Sequence, residues 1–389
     1  MSTDWITAKL KDCFNLKSGD GLTAKKMVPG DYDVFGGNGV AGKHNDFNLS
    51  GDNVIVGRVG ALCGNARHIT EDIWLTDNAF RITKPMFEFD NKFLTYLLNY
   101  KNLRSLARHA AQPVISNSSL ADLELSFPNS IEEQKRIVAI LDQAFADIEK
   151  ARTTAETNMK NGRELFDSYL QKVFSQEGEG WETIPLQSLS NIINGYAFKS
   201  GDFSPQNEAK SIKITNVGVY EFVEETSNFL PKEFTEEYKR YKAFEGDLVI
   251  ALTRTIISSG LKVAVVPASY DGALVNQRVA AVQVNEQLLP KEILQAFLST
   301  KIATDYVKAN VNELMQPNLS IKDLKAFPVP VPPKGSLEEI LKGIVLIKEK
   351  TSRLSNVYLR KIEVLDELKK SILQKAFTGQ LTKSKGIAA

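Results

Sequence analysis

Two stretches of this chain, residues 131–175 and 337–380, repeat their apolar residues every three or four positions, which places them on one face of a helix. In the first stretch these residues are Ile137, Leu141, Ala144, Ile148, Ala151, Ala155, Leu165 and Tyr169. In the second they are Ile344, Ile347, Leu354, Tyr358, Leu365, Leu368 and Ile372. At about 1.5 Å per residue each helix is about 65 Å long, which is too long for one small domain to cover. We therefore predict that the two helices pack together as an antiparallel coiled coil.

The segments that precede the helices carry matching motifs in the same order, about 200 residues apart. A Gly-Asp turn leads into an apolar strand at 51–56 and again at 246–251. An amphipathic helical pattern follows at 93–98 and 293–298, and a Gln-Pro-x-x-Ser motif at 112–116 and 316–320. The common order of these matches indicates a duplicated unit, each copy consisting of a domain and a long helix.

The predicted fold is α+β. It has two mixed, β-rich domains that contain a few helices, separated by the two long helices, with an approximate twofold internal repeat. We predict the domains at residues 1–130 and 178–333, the first helix at 131–177, and the second helix with a C-terminal tail at 334–389.

The composition is that of an ordinary globular protein, with 43% hydrophobic residues and a balance of 48 Lys and Arg against 47 Asp and Glu. Overall charge therefore gives no nucleic-acid signal, and any phosphate-binding surface must be local. Cys13 and Cys63 form no metal-ligand spacing, and the histidines are scattered, so neither a zinc site nor a disulfide framework is expected. The first residues lack an apolar signal region, and no apolar run reaches membrane-spanning length. We expect a cytoplasmic protein.

Two segments resemble catalytic motifs without completing them. Residues 37–44 fit GxxxxGK, but His44 replaces the Ser or Thr that binds magnesium, and a tight turn between strands is the better interpretation. Asp202, Glu208 and Lys210 have the order of a metal-dependent nuclease motif, but their surroundings are those of a solvated loop. We predict no catalytic site and no metal site.

Polar side chains of the types that read base edges lie within strand-rich, Gly-rich segments of both copies. Arginine pairs with guanine, and asparagine or glutamine pairs with adenine, in the major groove. Any one of these residues could instead be structural, but as a set they are the best DNA-binding candidates. They are Asn38, Lys43, Arg58, Arg67, Asn78 and Arg81 in the first copy and Lys199, Lys213, Asn216, Arg254, Asn276, Gln277 and Arg278 in the second.

Over nearly its whole length the chain resembles the specificity subunits of type I restriction-modification systems. The resemblance rests on the order of domain, helix, domain and helix. It also rests on residues 32–42 and 51–60 of the first domain and 195–200 and 245–247 of the second. The helix entry Glu-Glu-Gln-Lys-Arg-Ile at 132–137 and the ending at 373–381 are its most specific segments. The second helix departs at its entry, where residues 338–340 read Glu-Glu-Ile.

This resemblance implies that each domain is a target-recognition domain, which reads one half of an interrupted, asymmetric sequence in double-stranded DNA. It implies that the helices space the domains and dock two methyltransferase subunits, which restriction subunits then join. No cofactor is expected in this chain, because S-adenosylmethionine, ATP and magnesium would bind to the partner subunits. Two alternatives remain: a free-standing DNA methyltransferase or nuclease with its own recognition domain, and a coiled-coil scaffold that does not bind DNA.

Overall fold

The computed structural model describes residues 4–108, 112–175, 180–225, 227–257, 260–310 and 318–382. The chain divides into two compact units. Unit 1 comprises Met1–Ala155 and Arg360–Ala389, and unit 2 comprises Glu156–Leu359. Each unit combines small β-sheets with short helices and with one part of each long helix. Among the described helices, none is both long and apolar enough to cross a membrane.

Unit 1 is built from three sheets and a few short helices. Its strands are β1 Trp5–Lys9, β2 Asn15–Ser18, β3 Tyr32–Gly36, β4 Gly39–His44, β5 Asn53–Gly57, β6 Ala66–Ile69, β7 Ile73–Leu75, β8 Ala79–Thr83 and β9 Glu124–Pro128. Its short helices are α1 Leu10–Cys13, α2 Asn91–Tyr100 and α3 Asn117–Leu120. The main sheet has the antiparallel order β2-β8-β5-β6. A second sheet, β4-β3-β7, includes one parallel pair, and β1 pairs with β9.

Unit 2 repeats this plan with more strands. They are β10 Glu182–Pro185, β11 Ser190–Asn194, β12 Ser211–Ile212, β13 Lys242–Ala243, β14 Leu248–Ala251, β15 Ile256–Ile257, β16 Gly260–Leu261, β17 Val263–Val265, β18 Ala273–Val275, β19 Val279–Val284 and β20 Pro328–Val331. The helices are α5 Leu186–Leu189, α6 Phe234–Glu237, α7 Lys291–Leu298, α8 Lys301–Asn310 and α9 Ile321–Lys325. The main sheet is β11-β19-β14-β17, the second is β12-β18-β13, and β10 pairs with β20.

The two long helices are α4, Ile131–Phe174, and α10, Leu337–Phe377. Within unit 1, Arg152 of α4 forms a 2.6 Å ion pair with Asp366 of α10. Within unit 2, the Asn158 amide donates to the Tyr358 hydroxyl at 3.0 Å. In unit 2, Gly162 lies against Leu354 and Tyr169 lies against Gly343, so later residues of α4 meet earlier residues of α10 and the helices run antiparallel. The predicted α+β class and the antiparallel helix pair are confirmed.

The apolar seam between the helices departs from the prediction at two positions. Leu165 is 56% exposed and Leu368 is 45% exposed, so neither lies in the seam. In unit 2 the buried face of α4 passes instead through Gly162, which meets the Leu354 side chain, and through Phe166. The interruption of the apolar pattern between 155 and 165 is thus a glycine that faces its partner helix, which apolar counting skips.

Each long helix ends in the core of the unit opposite to the one in which it begins. The start of α4, at Ile137 and Leu141, belongs to the core of unit 1, whereas its last turn, including Phe174, belongs to the core of unit 2. Conversely, α10 places Ile344 in the core of unit 2 and Phe377 in that of unit 1. The two Leu-Gln-Lys-x-Phe endings are therefore core segments.

The four predicted segments differ from these compact units, because the units divide within the two helices. The boundaries 1–130, 131–177, 178–333 and 334–389 stay a prediction. Residues 176–179 and 383–389, which the predicted boundaries include, lie outside the described residues. The same is true of Gln316 and Pro317, which were matched to Gln112 and Pro113.

Candidate nucleic-acid interface

In unit 1, three loops meet at the end of the main sheet. The backbone N–H of Arg58, directly after β5, donates to the carbonyl of Asn78 at 2.9 Å. The Asn38 side chain, in the β3–β4 turn, accepts from the Leu62 N–H at 2.9 Å. A further segment joins them, because Gly60 donates its N–H to the Pro113 carbonyl at 3.1 Å. We call this assembly of loops the rim of unit 1.

The glycines of the rim allow these loops to approach closely. A Cβ at Gly37 would lie 1.9 Å from the Val59 carbonyl oxygen, so no side chain fits there. The loops enclose a shallow cavity of about 310 Å³, lined by the exposed amides Asn38, Asn78 and Gln112. The Gly-Gly-Asn-Gly segment is therefore a turn between β3 and β4, as predicted, and its amides lie beside those of two other loops.

In unit 2 the corresponding loops form the same arrangement. The N–H of Leu252, directly after β14, donates to the Arg278 carbonyl at 2.8 Å. Thr253 forms a β-bridge with Asn318, and Leu319 donates its N–H to the Leu252 carbonyl. We call this assembly the rim of unit 2.

Backbone hydrogen bonds establish which residues of the two rims are equivalent. The bonds Arg58 to Asn78 and Ile115 to Arg58 recur as Leu252 to Arg278 and Leu319 to Leu252. The bridges Val59 to Val114 and Thr253 to Asn318 agree with this register. The equivalent pairs are thus Arg58 and Leu252, Val59 and Thr253, Gly60 and Arg254, Thr76 and Asn276, Asp77 and Gln277, and Asn78 and Arg278. One backbone framework carries different side chains in the two units.

This register differs by one residue from the alignment of the Gly-Asp motifs. Ile55 packs toward the second sheet of unit 1, and its structural counterpart is Val249, which packs toward the second sheet of unit 2. Ile250, which the motif places opposite Ile55, instead packs on the helix side. Because neighbouring strand residues point to opposite faces, a one-residue slip reverses the buried face. Arg254 therefore corresponds to Gly60. The alignment of the Gly-Asp motifs would instead match it with Val59, the residue next to Arg58.

Seven of the thirteen candidate residues lie in the rims: Asn38, Arg58, Asn78, Arg254, Asn276, Gln277 and Arg278. Arg254, Gln277 and Arg278 are exposed, and their side chains form no hydrogen bond or ion pair within the described part of the chain. Arg58 is half-buried, and its guanidinium lies over the Phe80 ring at 5.4 Å. Its Nε is buried without a partner among the described residues.

The other candidates of unit 1 lie along the strands. Lys43 is on β4, where it approaches Asp33 at 3.6 Å. Arg67 on β6 and Arg81 on β8 lie on either side of Ile55 in one row of the main sheet. Burial lowers the pKa of Arg67, and its Nη1 is buried without a partner in the described structure. A Cβ on Gly39 would lie 3.4 Å from the same guanidinium, which places Arg67 directly beneath the β3–β4 turn.

Three candidates of unit 2, Lys199, Lys213 and Asn216, do not belong to its rim. Asn216 is buried; its amide accepts from the Lys213 N–H at 2.8 Å and donates to the Val223 carbonyl at 2.7 Å. Because Asn216 is buried and its amide bonds the backbone on both sides, we propose for it a structural role in this loop and no contact with DNA. The Lys213 ammonium is paired with Glu225 and lies over the Phe203 ring. Lys199 is exposed in the loop after Phe198.

Several rim residues were missed by the sequence analysis. In unit 1, Gln112 lines the cavity, the Arg104 guanidinium donates to the Ala61 carbonyl, and Arg108 pairs with Val114 through its backbone. In unit 2, the Lys262 ammonium donates to the Ile214 carbonyl at 2.8 Å. Burial, together with the positive charge of Arg254, lowers the pKa of Lys262. Only long-range pairing brings these cations to the rims, and no local motif identifies them.

The motif resembling a metal-dependent nuclease does not form a joint site. Glu208 forms an ion pair with Lys232, Lys210 lies over the Tyr270 ring, and Asp202 accepts the backbone N–H of Lys199. Across the described residues, no group of three or more His, Cys, Asp or Glu side chains could hold a metal ion. Cys13 and Cys63 are both free and buried in the main core of unit 1.

Comparison with known proteins agrees with this duplicated architecture. The model of the type I restriction modification DNA specificity domain matches residues 2–157 and 178–371, which is most of the chain. The chain belongs to this family. It is thus a DNA specificity subunit of a type I restriction-modification system, the non-catalytic member of such an enzyme.

Individual relatives are distant in sequence. The MjaVIII specificity subunit of Methanocaldococcus jannaschii is 26% identical over 313 residues, 75% of this chain and 70% of that protein. The EcoprrI specificity subunit of Escherichia coli is 28% identical over 164 residues, 39% of this chain and 40% of that protein. A solved structure described as the structural basis of complex assembly and conformational transition of the type I R-M system superimposes with a TM-score of 0.74. The identity is 16%, and 97% of this chain and 98% of that one are covered. At such identity the likeness concerns the fold.

Proposed function

We propose that each unit reads one half of a bipartite, asymmetric DNA target with the side chains of its rim. The observation that carries this proposal is the shared framework with different side chains at equivalent positions. A protein that recognises two different half-sites can use one backbone arrangement twice, but it needs a different set of side chains for each half-site. Arg58 against Leu252, Gly60 against Arg254 and Asn78 against Arg278 are substitutions of this kind.

The chemistry of the rims suits base edges. Arg254 and Arg278 are free to donate bidentate hydrogen bonds to a guanine, and Gln277 is suited to adenine. In unit 1, the three cavity amides offer donors and acceptors side by side, next to Arg58. The half-buried Arg67 beneath the turn supplies positive charge, and so does Lys262 in the other rim. Lys43, Arg81, Lys199 and Lys213 would at most contact phosphates.

Partner subunits complete the proposed complex. We place two methyltransferase subunits on the long helices, which also space the two half-sites, and restriction subunits join them. α10 carries exposed apolar side chains at Leu346, Val357, Val364 and Leu368, whose spacing of 11, 7 and 4 residues places them on one helical face. In this proposal S-adenosylmethionine, ATP and magnesium bind to the partner subunits. The complex acts in the cytoplasm, where the DNA is.

The first test separates this function from its alternatives. The purified chain, mixed with DNA and labelled S-adenosylmethionine, should transfer no methyl group, and transfer should start when methyltransferase subunits are added. Methylation by the chain alone would favour a free-standing enzyme. Absence of DNA binding even with the methyltransferase subunits present would favour a scaffold.

The second test concerns the rim of unit 2. Arg278→Ala should weaken binding of the target by about 1–3 kcal/mol and relax specificity at one base pair of one half-site. The readout is sequencing of modified adenines in DNA exposed to the reconstituted complex. Lys301→Ala, which removes an exposed cation from α8 of the same unit, is the matched control and should change nothing. An unchanged target with wild-type affinity for Arg278→Ala would remove this residue from the interface.

A further inference from the structure

A second basic surface lies in unit 2, beside the edge strand of its main sheet. Among the described strands, β11 pairs with β19 alone, and its residues Asn191–Asn194 line an open groove of about 570 Å³. The groove is lined by Lys239, Arg240 and Lys242, by the amides of Asn191, Asn194 and Gln283, and by apolar and aromatic groups. Among the described residues that line the groove, three are cations and none carries a carboxylate. We call it the β11 groove.

Two of these three cations have no acidic partner in the described structure. Lys242 approaches Glu236 at 3.4 Å. Arg240 lies over the Tyr241 ring at 4.7 Å and donates to its hydroxyl, which holds the guanidinium in place without neutralising it. Lys239 is exposed and forms no ion pair within the described residues. The Asn191 amide donates to Gln283, and the Gln283 amide donates to Asp247, so the cations carry the attraction for an anion. An uncompensated pair of cations is complementary to a polyanion.

The groove is continuous with the rim of unit 2. The Tyr241 ring lies 5.2 Å from the Tyr196 ring. Tyr196 in turn forms a β-bridge with Asn276, and its carbonyl accepts the Gln277 N–H at 2.9 Å. A single aromatic contact therefore connects the cations to the loop that carries Asn276–Arg278.

Unit 1 has no such charge at the equivalent positions. Lys242 pairs with Leu274 and Ala243 with Ala273, as Leu49 bridges Ile73 in unit 1. This register matches Lys239-Arg240-Tyr241-Lys242 with Asn45-Asp46-Phe47-Asn48. A segment of charge +3 thus corresponds to one of charge −1, so the groove's charge is not a requirement of the shared fold.

We propose that Lys239 and Arg240 bind the phosphate backbone of the DNA whose bases face the rim of unit 2, a contact that unit 1 lacks. The inference rests on the proposed function and adds to it the phosphate-binding surface of one half-site. Such contacts position a protein on the duplex without reading its sequence. They also release counterions, so they appear in the salt dependence of binding.

The experiment measures binding of two duplexes by the complex reconstituted with methyltransferase subunits, from 50 to 200 mM salt. One duplex carries the target, read from modified adenines, and the other is a scrambled duplex of equal length. The double variant Lys239→Gln/Arg240→Gln should reduce the slope of log K against log salt by about 1.8, because each phosphate contact contributes about 0.9. It should weaken the binding of both duplexes by the same factor and leave the modified sequence unchanged. Arg240→Lys retains the charge and should keep the wild-type slope.

Two controls make the result specific. Lys232→Gln removes an exposed cation that is paired with Glu208, and Asn45→Ala changes the equivalent segment of unit 1; neither should alter the slope. An unchanged slope for the double variant, with specific binding retained, would overturn the inference and leave the proposed function standing. Failure of the double variant to assemble with the methyltransferase would also overturn it, because the surface would then bind protein. A wild-type complex without preference for any sequence would instead contradict the proposed function.

Discussion

At the residue scale, Arg254 has a left-handed backbone conformation, with φ of +49°, where the equivalent residue of unit 1 is Gly60 with φ of +99°. A side chain in this conformation costs free energy, and such strain is typical of functional sites. The side chain of Arg254 is exposed and forms no bond in the described structure that would explain its presence. Its use in binding would explain why the strain is kept.

This comparison separates the two roles of the residue. Arg254→Gly should preserve or raise the stability of unit 2 by up to about 1 kcal/mol, because glycine adopts positive φ without strain. It should nevertheless weaken target binding by about 1–3 kcal/mol. Urea unfolding and titration of the target duplex measure the two effects. Arg254→Ala, which keeps the strain, should lose the same affinity. Full affinity in both variants would mean that Arg254 contacts no base.

At the scale of elements, the entry of α4 explains one segment of the family resemblance. Gln134 is fully buried, and its amide donates to the carbonyls of Glu88 at 3.1 Å and Pro128 at 3.0 Å. Its oxygen accepts the Asp90 N–H at 2.9 Å. The corresponding residue of α10 is Ile340, which packs against the core of unit 2. The two helix entries therefore differ in how they are anchored: Gln134 bonds the backbone of unit 1, whereas Ile340 packs against the apolar core of unit 2.

Gln134→Ile, which introduces the residue found in α10, should destabilise unit 1. It would leave three backbone groups without partners, at about 1–3 kcal/mol for each group that stays buried and unpaired. We expect a loss of about 3–5 kcal/mol in the free energy of unfolding, measured with urea. Gln143→Ile, at an exposed position of the same helix, is the control. A loss below 1 kcal/mol for Gln134→Ile would show that water replaces the amide.

Part of the fold and part of the candidate interface could be predicted from the sequence, and what could not be predicted has physical causes. The 3.6-residue periodicity predicts both long helices to within a few residues, because burial of one face dictates it. Leu165 and Leu368 were placed in the seam because apolar identity does not show which face a residue occupies where the pattern is ambiguous. The alignment of the Gly-Asp motifs is wrong by one residue, because the equivalent turn residues are Asn53 and Asp247. Asn53 donates to the Gly51 carbonyl, whereas Asp247 accepts from the Phe244 N–H. The β11 groove is formed by segments that are distant in the sequence, and local sequence patterns do not show which distant segments pair.

At the scale of the whole molecule, the last turn of α10 belongs to the core of the unit that begins the chain. Phe377 stacks on Tyr100 at 5.0 Å and contacts Phe93 at 5.6 Å. Phe174, at the end of α4, makes the corresponding contact with Phe297 in unit 2 at 5.4 Å. The stability of each recognition unit thus depends on a helix that begins in the other.

Phe377→Ala should therefore destabilise unit 1 by about 3–5 kcal/mol, as expected for a large side chain removed from a core. Hydrogen exchange should show lost protection in α2 and little change in α7. Phe174→Ala is the matched variant, and it should reverse this pattern. Equal loss of protection in both units for each variant would mean that the two cores unfold as one.

If each unit reads its own half of the target, an exchange of one domain should change one half-site alone. Residues 1–130 would be replaced by the corresponding segment of a relative with a different target, with both long helices and unit 2 retained. Modified adenines would then be sequenced in DNA treated with the reconstituted complex. We expect one half-site to change and the other half-site to stay the same. A change in both half-sites, or in neither, would contradict it.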